Sequence, residues 1–210
     1  MKLNFLFCVF FVLLGCGCAA AKSQYDYVAQ LKKSNLRTDE SQIMLLRTKK
    51  AVSPDLLIPD GPQYIRKEAF RAIPGIRSIV VPDSVILIGN YAFANNNKLR
   101  KVRLPASLEV IGDFTFFDCP ALEEVILPPG LKRIGCSAFE NCTGLKKITI
   151  PESVIVIDDY AFANCTALES ITIPASVRYI AYRAFKGCAN LKNVKFLNKN
   201  TVLGLEVFDK

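Results

Sequence analysis

Residues 145–167 read LKKITIPESVIVIDDYAFANCTA, and the framework of this stretch returns every 23 residues through most of the 210-residue chain. The framework is Leu-x-x-Ile-x-Ile-Pro, followed by a second isoleucine and then by Ala-Phe-x-x-Cys. The spacing never varies, because no unit carries an insertion. A fixed period of this length indicates equivalent coils stacked along one axis.

Four columns of residues define the period. Proline recurs at positions 59, 82, 105, 128, 151 and 174, and phenylalanine at 70, 93, 116, 139, 162, 185 and 208. An aliphatic column contains Ile65, Ile88, Ile111, Ile134, Ile157, Ile180 and Leu203. A cysteine column contains Cys119, Cys142, Cys165 and Cys188.

The columns divide the chain into three segments. Residues 53–210 form the repeat array, with five complete units at 76–98, 99–121, 122–144, 145–167 and 168–190. Residues 53–75 and 191–210 are degenerate units, as expected for the ends of an array. Residues 22–52 have no repeat and carry seven Lys or Arg against three acids, and we predict a partly helical amino-terminal cap or tether.

The repeat resembles the leucine-rich repeats of the treponemal, or Bacteroides surface-protein A-like (BspA-like), class. The resemblance rests on Leu-x-x-Ile-x-Ile-Pro and on Ile-Gly-x-x-Ala-Phe, as in residues 88–93 and 134–139. It covers about three quarters of the chain. It implies attachment to host cells or to matrix proteins such as fibronectin and fibrinogen, and therefore an adhesin-type role.

The pattern predicts an α/β repeat solenoid. Val125 and Leu127 alternate as one face of a short strand that Pro128 ends by removing a backbone donor. Stacking the units places these strands in a parallel sheet, on the concave face of the array. On the other side we expect short strands, helical turns or a tight irregular arch that packs the phenylalanine beneath the sheet.

The composition excludes much of enzyme chemistry. The chain has no histidine, which removes the commonest general base and metal ligand. The four column cysteines would lie in a straight row and not in a tetrahedron, so we interpret them as buried thiols and predict no metal and no cofactor. Cys136 lies outside the column and is the better candidate for a reactive thiol.

The remaining acidic and glycine motifs have structural interpretations. Asp158-Asp159 and Glu123-Glu124 occupy variable positions typical of a solvated face, although two carboxylates would suffice for glycoside cleavage. The glycines at 89, 112 and 135 are interpreted as turn residues. We therefore expect no enzyme.

The amino terminus predicts export. Lys2 precedes an apolar run from Leu3 to Leu14, so residues 1–21 match an export signal too short to span a bilayer comfortably. Leu13-Leu14-Gly15-Cys16 is similar to a bacterial lipobox, which makes Cys16 the candidate for lipidation and for membrane anchoring. Cleavage after Ala21 is the alternative and would release a soluble protein.

Strand alternation predicts the binding surface. If Val125 and Leu127 point inward, Glu124 and Ile126 point outward, and the register extends this to every unit. The predicted binding residues on the concave face are Val80, Lys101, Arg103, Glu124, Ile126, Lys147, Thr149, Ser170, Thr172, Asn193 and Lys195, with Ser78 beside them. A second candidate surface is aromatic and contains Tyr91, Phe114, Phe117, Tyr160, Tyr179 and Tyr182, which would equally well pack on neighbouring coils.

These features favour a binding module. The chain's formal charge of +8 suggests an acidic partner. Nucleic acid is a poor candidate, because the chain is predicted to be exported and has no row of basic residues interleaved with aromatic ones. An anionic membrane surface or acidic polysaccharide fits the charge better. We expect a protein partner, either a host matrix or cell-surface protein or another envelope protein, at the bacterial surface or in the periplasm. The alternatives are a periplasmic scaffolding protein and, less consistent with the sequence, an enzyme acting on polysaccharide.

Overall fold

The computed structural model describes residues 54–58 and 60–208, which form a parallel β-solenoid of about six turns. Each turn is one 23-residue unit, so the predicted array is confirmed. The export signal 1–21, Cys16 and the cap 22–52 lie outside the described residues.

The first half of each unit supplies a strand of what we call the first sheet. Its strands are β1 (Asp55–Leu57), β3 (Ser78–Val80), β5 (Lys101–Arg103), β7 (Glu124–Ile126), β10 (Ser170–Ile173) and β12 (Asn193–Phe196). The pairing is parallel, and each residue lies opposite the residue 23 positions later, as in Val102 and Val125. The strands β1, β3, β5 and β7 form one ladder, and β10 and β12 form another.

The second half of each unit supplies a shorter strand of the second sheet. These strands are β2 (Tyr64–Ile65), β4 (Leu87–Ile88), β6 (Val110–Ile111), β8 (Arg133–Ile134), β9 (Val156–Ile157), β11 (Tyr179–Ile180) and β13 (Val202–Leu203). They pair in the same parallel register, for example Ile134 with Ile157, and form two ladders, one of β2 and β4 and one of β6, β8, β9, β11 and β13. The core between the two sheets contains the aliphatic residues of both sets of strands.

Of the expected alternatives for the other side of each unit, the structure shows the short strands and an irregular arch between the second sheet and the next unit, and the described residues contain no helix. Two residues of each arch, four positions apart, have positive φ, for example Tyr91 (58°) and Asn95 (60°). A right-handed helix cannot continue through a left-handed residue. Alternate amides therefore point to the next coil: Tyr91 donates to the Asp113 carbonyl (3.1 Å) and Asn95 to the Phe117 carbonyl (2.8 Å).

The phenylalanine column forms a continuous stack beneath the arches. Rings from Phe70 to Phe208 lie parallel within 13°, with centroids 5.2–5.5 Å apart. The five from Phe93 to Phe185 are at most 1 % exposed. The backbone amide of Phe139 donates to the Ala161 carbonyl of the next coil (2.8 Å). A hydrogen bond between coils therefore positions the backbone that carries the ring.

The glycines at 89 and 135 each begin a turn, as the sequence predicted: the Gly89 carbonyl accepts the Ala92 amide and the Gly135 carbonyl accepts the Ala138 amide, both at 3.2 Å. Neither has positive φ. A β-carbon on Gly89 would lie 2.5 Å from the amide nitrogen of Lys67, and one on Gly135 would lie 2.7 Å from the carbonyl oxygen of Ile111. These positions require glycine because the preceding coil passes too close for a side chain.

The buried stack predicts a large loss of stability on truncation. Phe139→Ala removes a fully buried ring that contacts a ring on each side, so we expect the free energy of unfolding to fall by about 3–5 kcal/mol in urea denaturation. The matched control is Phe117→Ala, which truncates a half-buried ring outside the column and should cost less than about 2 kcal/mol. Equal losses in the two variants would show that the column does not dominate stability.

Candidate binding surface

The predicted surface residues all lie on the outward side of the first sheet or of the coil segment in register with it. Ten are exposed, and Ser78 and Val80 are half-buried. The residues between them point inward, with Val125 and Leu127 each 7 % exposed. The structure therefore confirms the predicted alternation, and it brings the outward residues together on one face.

Ion pairs already engage part of this face. Lys101 Nζ lies 3.1 Å from Glu124 Oε2, and Arg103 Nη2 lies 3.4 Å from Asp83 Oδ2. These side chains are more than half exposed, so water weakens the pairs and each contributes little to stability. Within the described residues, Lys147 and Lys195 have no ion-pair partner.

The first sheet is interrupted at its centre. Residues 147–149 are in register with β7 and β10 but are not a strand, and within the described chain their backbone forms no ladder with either neighbour. The second sheet continues across the same coils, because β8 pairs with β9. The interruption therefore opens one side of the coil stack and leaves the other closed.

A depression of about 730 Å³ lies at this interruption. Its wall includes Ile126, which is 63 % exposed, together with Lys147 and Thr149. Glu124 and Glu152 also line it. The geometry combines exposed apolar side chains, Ile126 and Pro129, with a charged rim.

The cysteine column is buried, as the sequence predicted. The four column residues are at most 4 % exposed, and each thiol lies 3.1–3.3 Å from the phenylalanine carbonyl of the preceding coil. Asn96 replaces cysteine one coil earlier and donates to the equivalent Phe70 carbonyl (2.8 Å). The thiols therefore serve as small hydrogen-bond donors inside the core.

Cys136 is a weaker candidate for a reactive thiol than the sequence suggested. It is half-buried, and burial raises its pKa to about 12. Nearby carboxylates, Asp113 foremost among them, contribute to this raised pKa, whereas the contact with the Ser137 hydroxyl lowers it. Since the thiolate is the nucleophile, the raised pKa disfavours reaction of Cys136 near neutral pH.

Of the acidic candidates, Glu123, Glu124 and Asp159 are exposed, as the sequence predicted, whereas Asp158 is half-buried and, like the buried Asp113, pairs with Arg133. Arg133 Nη2 lies 3.3 Å from the buried Asp113 Oδ1, and Arg133 Nε pairs with Asp158. Asp113 also accepts the Cys136 amide (3.0 Å), and Asp159 accepts the Tyr182 amide (2.9 Å). Burial raises the pKa of Asp158 to about 6, although Arg133 lowers it. These carboxylates are engaged in holding adjacent coils in register.

Five of the six aromatic candidates pack on one another, either across adjacent coils or within one arch. Tyr91 stacks on Phe114 with ring centroids 4.5 Å apart, and Phe117 meets Phe114 edge-on. Tyr160 meets Tyr182 edge-on. Ring faces used in this way are covered, so the arrangement favours the packing interpretation over a second binding surface.

Sequence reasoning missed a second depression, of about 640 Å³, beside the first sheet. It is lined by Arg77, Asn97, Lys98, Arg100 and Ala121. Arg77 and Arg100 occupy equivalent positions of two consecutive units, immediately before β3 and β5. Alignment of the position before each strand would have revealed this basic pair.

Two further observations limit the chemistry of the described residues. Across residues 54–58 and 60–208, no group of three or more acidic or cysteine side chains is arranged to hold a metal ion. The same part of the chain has no helix that is long and apolar enough to cross a membrane.

Comparison with known proteins supports the repeat assignment. A family model described as "BspA type Leucine rich repeat region" matches six copies, over residues 53–167 and 110–210. No curated protein matches the sequence.

Three solved structures illustrate the likeness. The Treponema pallidum leucine-rich repeat protein is 31 % identical with a TM-score of 0.70, and the match covers 74 % of this chain and 76 % of that one. A Bacteroides ovatus leucine-rich repeat protein is 27 % identical with a TM-score of 0.55, covering 74 % of this chain and 47 % of its own. A leucine-rich repeat protein from Eubacterium ventriosum is 22 % identical with a TM-score of 0.61, and the match covers 67 % of this chain and 44 % of that one. At this identity the likeness concerns the fold alone.

The half-buried Asp158 predicts a pH dependence. Its pKa is raised in the folded state, from 3.8 to about 6, so the folded state binds the proton more tightly than the unfolded state. The contribution of Asp158 to stability therefore falls as pH rises from about 4 to 6. We expect the unfolding free energy of the wild type minus that of Asp158→Asn to decrease by about 1–3 kcal/mol between pH 4 and 7. A difference that stays constant or increases would contradict this assignment.

Proposed function

The chain belongs to the BspA-type leucine-rich repeat family, and we propose that it is an exported bacterial binding protein whose first-sheet surface docks on another protein. The proposed role is attachment of the adhesin type, to a host matrix or cell-surface protein. The family resemblance suggests the class of partner, and the geometry of the first sheet suggests where it docks.

The observation that carries the proposal is the exposed Ile126 at the interruption of the first sheet. An isoleucine that leaves 63 % of its surface in water gains about 1–2 kcal/mol when a partner covers it. Lys147 and Thr149 stand beside it, and Glu123, Glu124 and Glu152 add acidic groups to the rim. An apolar centre within a polar rim provides affinity at the centre and orientation at the edge.

The framework supports this role because it fixes the surface before a partner arrives. Neighbouring strands keep a register of 23 residues, and the inward residues are locked in the core. Only the outward side chains lose freedom on docking, so the entropic cost of binding stays low. The outward residues also differ from unit to unit, which gives one face many chemical patterns on a constant backbone.

Export is part of the proposal. The basic and apolar leader at residues 1–21 and the lipobox-like Cys16 support secretion to the cell envelope, with a lipid anchor if Cys16 is acylated. A protein displayed there would present its first-sheet surface to proteins outside the cytoplasm.

The proposed docking site predicts a selective loss of binding. We expect the wild-type chain to bind immobilised fibronectin or fibrinogen in surface plasmon resonance. Ile126→Asp should weaken the affinity at least about tenfold, because it replaces the apolar centre with a charge that docking would desolvate.

The matched control is Leu205→Asp. Leu205 is 76 % exposed and lies away from the first sheet, so the same type of change there should alter the affinity less than about twofold. If the wild-type chain bound neither fibronectin nor fibrinogen, the proposed class of partner would be contradicted. Unchanged binding by Ile126→Asp would contradict the proposed site.

A further inference from the structure

The basic depression beside the first sheet has a composition unlike the rest of the surface. Three of its five lining residues are cations, Arg77, Lys98 and Arg100, and a fourth is Asn97. All four side chains are exposed, and no acidic residue lines the depression. The volume, about 640 Å³, is large enough for a ligand group of several atoms.

The backbone holds two of these cations close together. The amide of Arg100 donates to the Arg77 carbonyl (2.7 Å), and the following residues, Ser78 and Lys101, pair in the first sheet. Adjacent strands lie about 4.8 Å apart, so the two arginines leave neighbouring points of the backbone. Two positive charges on neighbouring coils repel each other, and an anion bound between them relieves that repulsion.

The existing counter-charges are few and weak. Arg100 Nη1 lies 3.9 Å from Glu123 Oε1, at the limit of an ion pair, and both side chains are more than half exposed. Arg77 and Lys98 have no ion-pair partner among the described residues. Unlike Arg103, which is paired with Asp83, these two cations are available to a ligand.

The chemistry of the lining favours a hydrophilic anion. Arginine binds sulfate and carboxylate oxygens with two parallel hydrogen bonds, and lysine adds a point charge. The Asn97 amide can donate to and accept from hydroxyl groups. Ala121 is the only apolar residue of the lining, so the depression offers no pocket for the apolar side chains that anchor peptides.

Two further cations lie beside the basic pair. Lys101 and Arg103 follow Arg100 in the chain, on β5, although each is paired with an acid, Glu124 and Asp83 respectively. The basic pair spans two coils, because Glu123 occupies the equivalent position of the next unit. Two cations one coil apart suit neighbouring anionic groups of a linear ligand.

We propose that the depression formed by Arg77, Asn97, Lys98 and Arg100 binds an anionic polysaccharide through its sulfate or uronate groups. This site goes beyond the proposed protein docking at Ile126, which lies in the other depression. The two sites would allow the chain to bind a matrix protein and the polysaccharide around it.

The test measures affinity of the full chain for a fluorescent heparin octasaccharide, which carries sulfates and carboxylates, and for a hyaluronan octasaccharide, which carries carboxylates alone. The variant Arg77→Ala/Lys98→Ala/Arg100→Ala removes the three cations. The control Lys132→Ala/Arg178→Ala/Lys192→Ala removes the same charge from exposed positions of other units. Fibronectin and fibrinogen binding is measured in parallel.

We expect wild-type binding of the heparin probe that falls at least about tenfold in the first variant and less than about twofold in the control. Equal binding of hyaluronan would assign the carboxylates as the recognised groups, and binding of heparin alone would assign the sulfates. Either result supports the site, and neither depends on the matrix-protein readout.

Three results would overturn the proposal. The first is no binding of either octasaccharide by the wild type. The second is an equal loss of heparin affinity in both triple variants, or no loss of affinity in Arg77→Ala/Lys98→Ala/Arg100→Ala. Either outcome would be expected if the basic segment 22–52 bound the probe. The third is binding of poly-glutamate peptide that depends on the three cations while neither octasaccharide binds.

Discussion

The backbone hydrogen bond between residues in adjacent 23-residue units is the interaction on which the rest of the structure depends. In the first sheet it forms parallel ladders, and in the arches it links alternate amides to the carbonyls of the next coil. Both sets require equivalent residues to lie side by side. One inserted residue would shift every later column against its neighbour, which explains why the period is constant.

This register makes unfavourable local conformations tolerable. Tyr91, Phe114 and Tyr160 have positive φ, which costs about 1–2 kcal/mol for a residue with a β-carbon. Each donates its amide to the next coil at 2.8–3.1 Å. Each also packs its ring on an aromatic residue of a neighbouring coil. The arch is therefore stable as part of a stack, although a single unit would not hold it.

The sequence predicted the features that repeat strictly. The Phe139 stack, the inward Val125 and the buried Cys142 each follow from a fixed spacing and from the burial of apolar groups. An irregular arch was one of the expected alternatives. In the complete units, its second left-handed position carries residue types that tolerate positive φ, namely Asn95, Asp118, Asn141, Asn164 and Gly187. Its first left-handed position, as at Tyr91, belongs to no single residue type and owes its stability to the next coil. Gly89 was correctly assigned to a turn, but the close approach of the preceding coil was not predicted, because it leaves no signal distinct from that of a turn glycine.

The candidate sites likewise combine features that the sequence predicted with features that it did not. Alternation along the strand predicted that Ile126 and Lys147 point outward, but it did not predict the interruption at 147–149, because Leu145-x-x-Ile148-x-Ile150-Pro151 matches the strand framework of the other units. The depression at Arg77 combines residues from the end of one unit and the start of the next. A search for outward strand residues passes over it, because Arg77 and Arg100 precede the strands and Lys98 follows the cysteine position.

Amide hydrogen exchange, resolved by residue with NMR, tests the central account most directly. The amides of Phe93, Phe116, Phe139 and Phe162, which donate to the next coil at 2.8–3.0 Å, should exchange only through global unfolding. The amides of residues 147–149, which have no ladder partner in the described structure, should exchange far faster. Rapid exchange at the phenylalanine amides, or equal protection at both sets, would contradict a fold held together by bonds between coils.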